Sequence, residues 1–338
     1  MRYLLTFTLA LLATSCIIIN TGRISDVIYV RHKGADMPAH VHGDPAKNTF
    51  LIVLHGAGSF GLAFRDGEFS QNLEDDYVVV YFDQRGQSMA QGHYSKPEDL
   101  VDLMAEDVLA LAAVLREKYG EDINLFLMGH SWGGLLSGAT LLKDQSQFAG
   151  WINVAGATDI PLATARRGSR IQIIAEEQID LGNSIEEWTA ISEEVDELDP
   201  SEESSYRPTL RLAARAIELL LRDEVIESTT TIEKLAQAIL ANNPITWAVS
   251  DFFNQPVSEA REMDYSLTPR LQEITLPTLM IFGRYDVSVP LQVGAVAFEE
   301  IGSDKKDVFV FEQTIHHPHD TEGSRFVQEV RRFIEENR

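Results

Sequence analysis

Six short, nearly continuous apolar runs, set apart by helical patterns, constrain this chain more than any other feature. They are TFLIVLHG (49–56), DYVVVYFDQ (76–84), INLFLMG (123–129), GWINVAG (150–156), PTLMIFG (277–283) and DVFVFEQ (307–313). They are rich in β-branched and aromatic residues and lack the in–out alternation of a strand with one wet face. Strands covered on both faces have that composition, which points to a mostly parallel sheet with helices on each side. DVIYVRH (26–32) reads as an additional early strand. Over 96–120, Leu100, Leu103, Met104, Val108, Leu111, Val114, Leu115 and Tyr119 fall on one helical face. Pro97 suits the first turn of that helix and Gly120 its stop. Segments 134–144 and 319–337 read as two more helices.

The alternation breaks between Thr158 and Thr268, where helical patterns run without a convincing strand. Helices are expected over 184–198, 210–225 and 231–243, the first with Ser184 and Glu187 in capping-box register. The block reads as a helical cap over 158–265, inserted into a core made of 24–157 and 266–338. Between Ile171 and Tyr206 there are twelve acidic residues and no Lys or Arg. A solvated outer face accounts for such a run. The alternative is that one or two of these acids line a pocket and hold a substrate ammonium group.

A chain of 338 residues, 44% hydrophobic and 24% charged, has the composition of a soluble globular protein. Its formal net charge of -24 disfavours nucleic acid and anionic membranes as partners. A single cysteine, Cys16, excludes an intramolecular disulfide. It follows Arg2 and an apolar stretch that is short for a membrane span. Residues 1–16 therefore read as an export leader. Ala13-Thr14-Ser15-Cys16 resembles a bacterial lipoprotein box, with Cys16 as the lipidated residue. A plain secretory signal and a short anchor are the alternatives. Each places the mature domain outside the cytoplasm, as a periplasmic or outer-surface protein that meets the membrane only through an N-terminal anchor.

The chemistry centres on Gly129-His130-Ser131-Trp132-Gly133, which sits between a strand and a helix. A strand turning sharply into a helix strains its tip residue, and small residues two before and two after relieve the crowding. Ser131 is then an exposed nucleophile, with the Trp132 N–H aimed at a developing oxyanion. The glycine-rich HGAGSFG (55–61) follows another strand and can supply the second oxyanion donor, from Ala57 or, failing that, Gly58. Asp286, just past the run 277–283, is placed to orient a histidine, although a turn aspartate is the plainer role. His316, His317 and His319 follow the last strand. A metal cluster is disfavoured there, because the spacing is not that of ligands on a helix and no matching ligand group stands elsewhere. One histidine acting as base, with two neighbours, is the simpler reading. The chain order is Ser131, Asp286, His316.

HGAGSFG, YFDQRGQS, GHSWGG, GRYDVSVP and IHHPHDTEGSRF together resemble the α/β-hydrolase superfamily, and in particular the prolyl-iminopeptidase-like serine peptidases. The resemblance covers roughly 45–157 and 266–338. It implies an α/β-hydrolase fold, with a mostly parallel eight-stranded sheet, helices on both faces and a helical cap after strand 6. It also implies a Ser131–His316–Asp286 triad working through an acyl-enzyme without metal or organic cofactor. The family pattern Gly-His-x-Pro-His-x-x-Glu laid over Ile315 to Glu322 makes His316 the base. Two positions depart from the pattern: HGAGSFG stands where the family has HGGPG, and Ile315 stands in place of glycine. By analogy Gln84 and Arg85 lie near the site, where they brace the loop. The expected substrate is a small molecule or short peptide bearing an amide or ester. A carboxylesterase or lipase of neutral esters carries the same triad, and a non-catalytic ligand-binding protein on this fold is the remaining alternative.

Overall fold

The computed structural model describes residues 22–65, 67–92, 100–200, 202–227 and 264–338. The leader with Cys16, the helix start at Pro97 and the helix expected over 231–243 lie outside the described residues.

Eight strands form one sheet: β1 (Ile24–His32), β2 (Ala35–Gly43), β3 (Thr49–Leu54), β4 (Val78–Phe82), β5 (Asn124–His130), β6 (Gly150–Val154), β7 (Thr278–Gly283) and β8 (Lys306–Phe311). Their order across the sheet is β1-β2-β4-β3-β5-β6-β7-β8. The β1–β2 and β2–β4 pairs are antiparallel and the others parallel. This is the mostly parallel sheet that the apolar runs called for, with the eight strands that the family resemblance implied.

The continuity of those runs has a direct cause in the packing. Phe50, Ile52 and Leu54 of β3, with Val78, Val80 and Phe82 of β4, join one core with α2 (Leu100–Tyr119) and α3 (Trp132–Asp144). Leu51 and Val53, with Val79 and Tyr81, join a second core on the opposite face. There they meet α1 (Gly67–Asp76) and the C-terminal helix α9 (Gly323–Asn337). Each such buried Val, Leu or Phe contributes about 1.5–3 kcal/mol, so neither face of these strands can afford a polar residue. The helix expected over 319–337 is divided at Glu322 into α8 (Pro318–Thr321) and α9.

Strand β2 was not apparent in the sequence. Pro38 interrupts it, and a proline removes a ladder donor. Met37, Ala39 and Val41 alternate with Pro38, His40 and His42, and only the first set enters the first core. Pro38 contributes through its carbonyl, which accepts the Asp83 N–H at 3.0 Å.

The insertion between β6 and β7 contains α4 (Ile160–Leu181), α5 (Ile185–Asp196) and α6 (Tyr206–Arg222). It builds a core of its own around Ile171, Ile174, Trp188, Ile191, Leu212 and Leu220, and rests on Tyr285 and Val287 after β7. Asp159 ties its entrance to its exit. One carboxylate oxygen caps α4 at the Leu162 N–H, 2.8 Å away. The other accepts from the hydroxyls of Ser266 and Thr268 at 2.6 and 2.8 Å. The capping box expected at Ser184 is not formed. Ser184 adopts a left-handed backbone, and its hydroxyl donates instead to Asp223 at 2.6 Å, joining the start of α5 to the end of α6. Of the described acids between 171 and 206, all are exposed except Glu177. Glu177 is half-buried and accepts from Arg284 and the Tyr285 hydroxyl. After α6, the chain rejoins the sheet at β7, continues through α7 (Leu291–Glu300) to β8 and ends in α9. Among the described residues, no helix is long and apolar enough to cross a membrane.

Candidate active site

Strand β5 ends at His130 and α3 begins at Trp132, leaving Ser131 alone at the corner with φ 54° and ψ -115°. A positive φ at a non-glycine residue is strained, and the surrounding contacts must hold it. They do so at close range. A Cβ on Gly129 would stand 2.0 Å from the Gly133 carbonyl oxygen, and one on Gly133 would stand 2.2 Å from that of Leu54. Neither position admits a side chain. The Ser131 N–H donates to the Val154 carbonyl at 3.0 Å, and the Ser131 carbonyl accepts from Ala157 at 3.1 Å.

Asp286 lies in the loop after β7 and is fully buried. Its Oδ1 accepts the N–H groups of Ser288 and Val289 at 2.7 and 3.0 Å. Its Oδ2 stands 2.7 Å from Nδ1 of His316, which follows β8. A carboxylate only accepts, so Nδ1 carries the proton and Nε2 is left with a lone pair. Ser131 and His316 line the same cavity. No hydrogen bond joins the serine hydroxyl to the imidazole in this structure; such bonds are often loose before substrate binds. Ala57 and Trp132 also line the cavity.

The loop after β3 is held against the serine corner by Gln84. Its amide donates to the His55 carbonyl at 2.8 Å, and its amide oxygen accepts the Trp132 indole N–H at 3.1 Å. His55 is fully buried; its Nδ1 donates to the Gly56 carbonyl at 2.9 Å, and burial pushes its pKa down to about 4, keeping it neutral. Neighbouring Asp83 accepts the Gly61 N–H at 2.7 Å, and burial raises its carboxyl to about 6. Arg85 acts elsewhere. Its guanidinium grips both carboxylate oxygens of Asp107 at 2.7 and 2.6 Å and the His32 carbonyl at 2.9 Å, fastening the β1–β2 turn to α2. Gln84 and Arg85 are thus both braces.

The part played by His130 was not legible in the residue pattern. It is buried, and its Nε2 donates to the His316 carbonyl at 2.9 Å. Its ring lies 4.8, 4.8 and 5.1 Å from those of His316, His317 and His319. Burial, and then the three neighbouring imidazoles, hold its pKa well below the usual value. The expectation that no further ligand group joins the loop histidines therefore fails. One nitrogen from each of His130, His317 and His319 lies within 4.8 Å of the others. The bond from His130 to the His316 carbonyl alone spans 186 residues, so no local spacing could announce this approach.

The cavity measures about 590 Å³. Its cap side is lined by Ile160 and Arg167 of α4 and by Tyr206, Leu210 and Ile217 of α6. Arg167 Nε donates to the Val287 carbonyl at 3.2 Å, and its guanidinium lies 5.7 Å from the Tyr206 ring. Among the described lining residues, Asp320 is the one carboxylate. None of the described acids between 171 and 206 reaches the cavity.

Comparison with known families matches residues 45–322 to the family described as "Serine aminopeptidase, S33". The chain is 22% identical over 297 residues to a proline iminopeptidase of Saccharolobus solfataricus, covering 88% of this chain and 84% of that protein. It is also 22% identical over 289 residues to the pimeloyl-[acyl-carrier protein] methyl ester esterase of Vibrio parahaemolyticus, covering 85% of this chain and 94% of that one. Among solved structures, the proline iminopeptidase of Mycobacterium smegmatis superposes with a TM-score of 0.62 at 19% identity, covering 92% of this chain and 98% of that chain. A peptidase and an esterase thus align with this chain over most of their lengths, and the chain is an α/β-fold hydrolase. Since the match covers residues 45–322, well over half of the chain and as far as the loop carrying His316, the chain belongs to the serine aminopeptidase family.

Proposed function

We propose that the protein is a serine hydrolase that cleaves a small amide or ester through an acyl-enzyme on Ser131. The observation that carries this reading is the buried Asp286 bonded at 2.7 Å to His316 Nδ1, with His316 and the strained Ser131 sharing one cavity. His316 Nε2 takes the hydroxyl proton as Ser131 Oγ attacks the substrate carbonyl. Asp286 fixes the tautomer and stabilises the imidazolium that forms. The Ala57 and Trp132 N–H groups receive the oxyanion, helped by the N-terminus of α3. His316 then returns the proton to the leaving amine or alcohol. Water, deprotonated by the same nitrogen, releases the acid and restores Ser131.

The test is labelling with a fluorophosphonate probe, repeated on Ser131→Ala. The wild type is expected to label and the variant to stay unlabelled; a folded wild type that fails to label defeats the proposal. An aminopeptidase of the prolyl-iminopeptidase type is the first substrate reading, in keeping with the family. A neutral-ester hydrolase is the second, supported by the mostly apolar lining and its single described carboxylate. Aminoacyl amides run against p-nitrophenyl esters separate the two. Export, with lipidation at Cys16, remains part of the proposal; loss of membrane association in Cys16→Ser checks it.

A further inference from the structure

We propose that His130, His317 and His319 form a binding site for a late first-row divalent metal ion, zinc foremost, whose occupancy slows hydrolysis at the adjacent serine. The site goes beyond the hydrolytic reading, because none of its three ligands is assigned a step in acyl transfer. Three imidazole nitrogens are the donor set that suits zinc, copper and nickel. One nitrogen from each ring lies within 4.8 Å of the other two. Ligands on a tetrahedral zinc with Zn–N of about 2.0–2.1 Å stand roughly 3.4 Å apart, so closure needs ring shifts on the order of 1 Å.

Other features set these rings apart from a chance cluster. His130 is buried and lines the cavity, so its ring is held in place by its surroundings. His317 and His319 flank Pro318, whose fixed φ limits the loop. The His319 ring is stacked on Phe64 at 4.3 Å. Asp320 Oδ1 stands 3.9 Å from His319 Nε2, adding a carboxylate on the same side.

The effect on hydrolysis follows from chain connectivity. His130 immediately precedes Ser131, and His317 immediately follows His316. The His130 Nε2 bond to the His316 carbonyl also ties the two segments together. Drawing the three rings onto one ion therefore shifts the backbone on which both the serine and the imidazole sit, and small displacements of that kind cost rate steeply.

The experiment uses untagged, chelator-treated full chain and Zn²⁺ as the probe. Binding is read by competition with a chromophoric chelator, and Co²⁺ substitution reports the ligand geometry through its visible spectrum. One equivalent per chain is expected, with affinity at least about tenfold weaker in both His317→Gln and His319→Gln. Circular dichroism and thermal melting verify that each variant is folded, and these two are used because a change at the buried His130 could itself unfold the chain. Zn²⁺ is further expected to inhibit ester hydrolysis reversibly, with relief by chelator and a shift to higher concentration in both variants. Failure to bind one equivalent, or undiminished affinity in either folded variant, overturns the site. Stoichiometric binding without inhibition overturns its coupling to hydrolysis. Because binding is measured without substrate, it stands or falls separately from the serine mechanism.

Discussion

The carboxylate of Asp286 and the imidazole of His316 meet at 2.7 Å although 30 residues separate them, and the carboxylate's other oxygen is already held by two backbone N–H groups. That double anchorage means Asp286 cannot swing away, so His316 is oriented by a fixed partner. Asp286→Asn keeps an oxygen that can accept from Ser288 and Val289, but it presents an amide where the imidazole needs an acceptor. The expected result is a folded protein with kcat lowered by about 10⁴-fold, the scale seen when the orienting acid of a triad is lost. Steady-state kinetics on an activated ester, with circular dichroism as control, measures it. A loss below tenfold would remove Asp286 from the mechanism.

Stability should fall on mild acidification. Burial lowers the pKa of His40 and His55 to about 4, and lowers those of His42 and His130 as well. An unfolded chain protonates these rings near pH 6.5, so below that pH it binds more protons than the folded one, and the equilibrium moves toward unfolding. The contribution is fully present above about pH 6.5 and is lost progressively as pH falls toward 4. For His55 the limit is roughly 3 kcal/mol. Asp83 acts in the opposite sense: its carboxyl, raised to about 6, favours the fold at low pH and loses that contribution as pH rises through 6. One such acid against four histidines leaves the net slope set by the imidazoles. Urea midpoints at pH 7.5, 6 and 5 should descend in that order; a midpoint that climbs on acidification contradicts the argument.

What the sequence disclosed was what a short residue pattern reports. The corner at Ser131 was legible because Gly129 and Gly133 flank it at fixed spacing, although the atom that excludes a side chain at Gly133 is the distant Leu54 carbonyl, and the inner strands because both their faces are dry. Strand β2 was hidden by Pro38 and by His40 and His42, since its pairing with β1 and β4 uses backbone that a residue pattern does not report. Helix α4 lacked a clean stripe because Arg170 and Gln178 lie among its buried positions. The cap contacts at Arg167 and Tyr206, and the approach of His130 to the loop histidines, come from distant segments meeting in space.

The glycines at the serine corner permit a stability test with an internal reference. Gly133→Ala puts a methyl 2.2 Å from a backbone oxygen that cannot move without disturbing β3. A loss of more than about 3 kcal/mol, or failure to accumulate soluble protein, is expected. At Gly34 in the β1–β2 turn, φ is +77° but an added methyl meets nothing within 4 Å. Gly34→Ala therefore bears only the left-handed backbone penalty, about 1–2 kcal/mol. Denaturant midpoints for the pair decide the matter; Gly133 has an ordinary helical backbone, so a cost no larger than that of Gly34→Ala would mean that the corner yields to the added methyl and crowding does not govern it.

Gln84 supplies the last prediction, because it touches both the loop carrying Ala57 and the corner carrying Trp132 without lining the cavity. Its amide spans the His55 carbonyl and the Trp132 indole, so it sets how far the loop carrying Ala57 stands from the corner carrying the Trp132 N–H. Gln84→Leu keeps much of the volume and removes both bonds. If Ala57 and Trp132 stabilise an oxyanion, a misplaced donor weakens the transition state more than the ground state, and kcat falls while KM moves little. Since deleting a donor outright costs about 10²–10³ in rate, displacing one should cost roughly 10–10². Gln84→Glu keeps the acceptor for the indole but loses the donor to His55, so it should fall between wild type and Gln84→Leu. A Gln84→Leu protein that melts well below wild type yet keeps full kcat would assign the residue to stability alone.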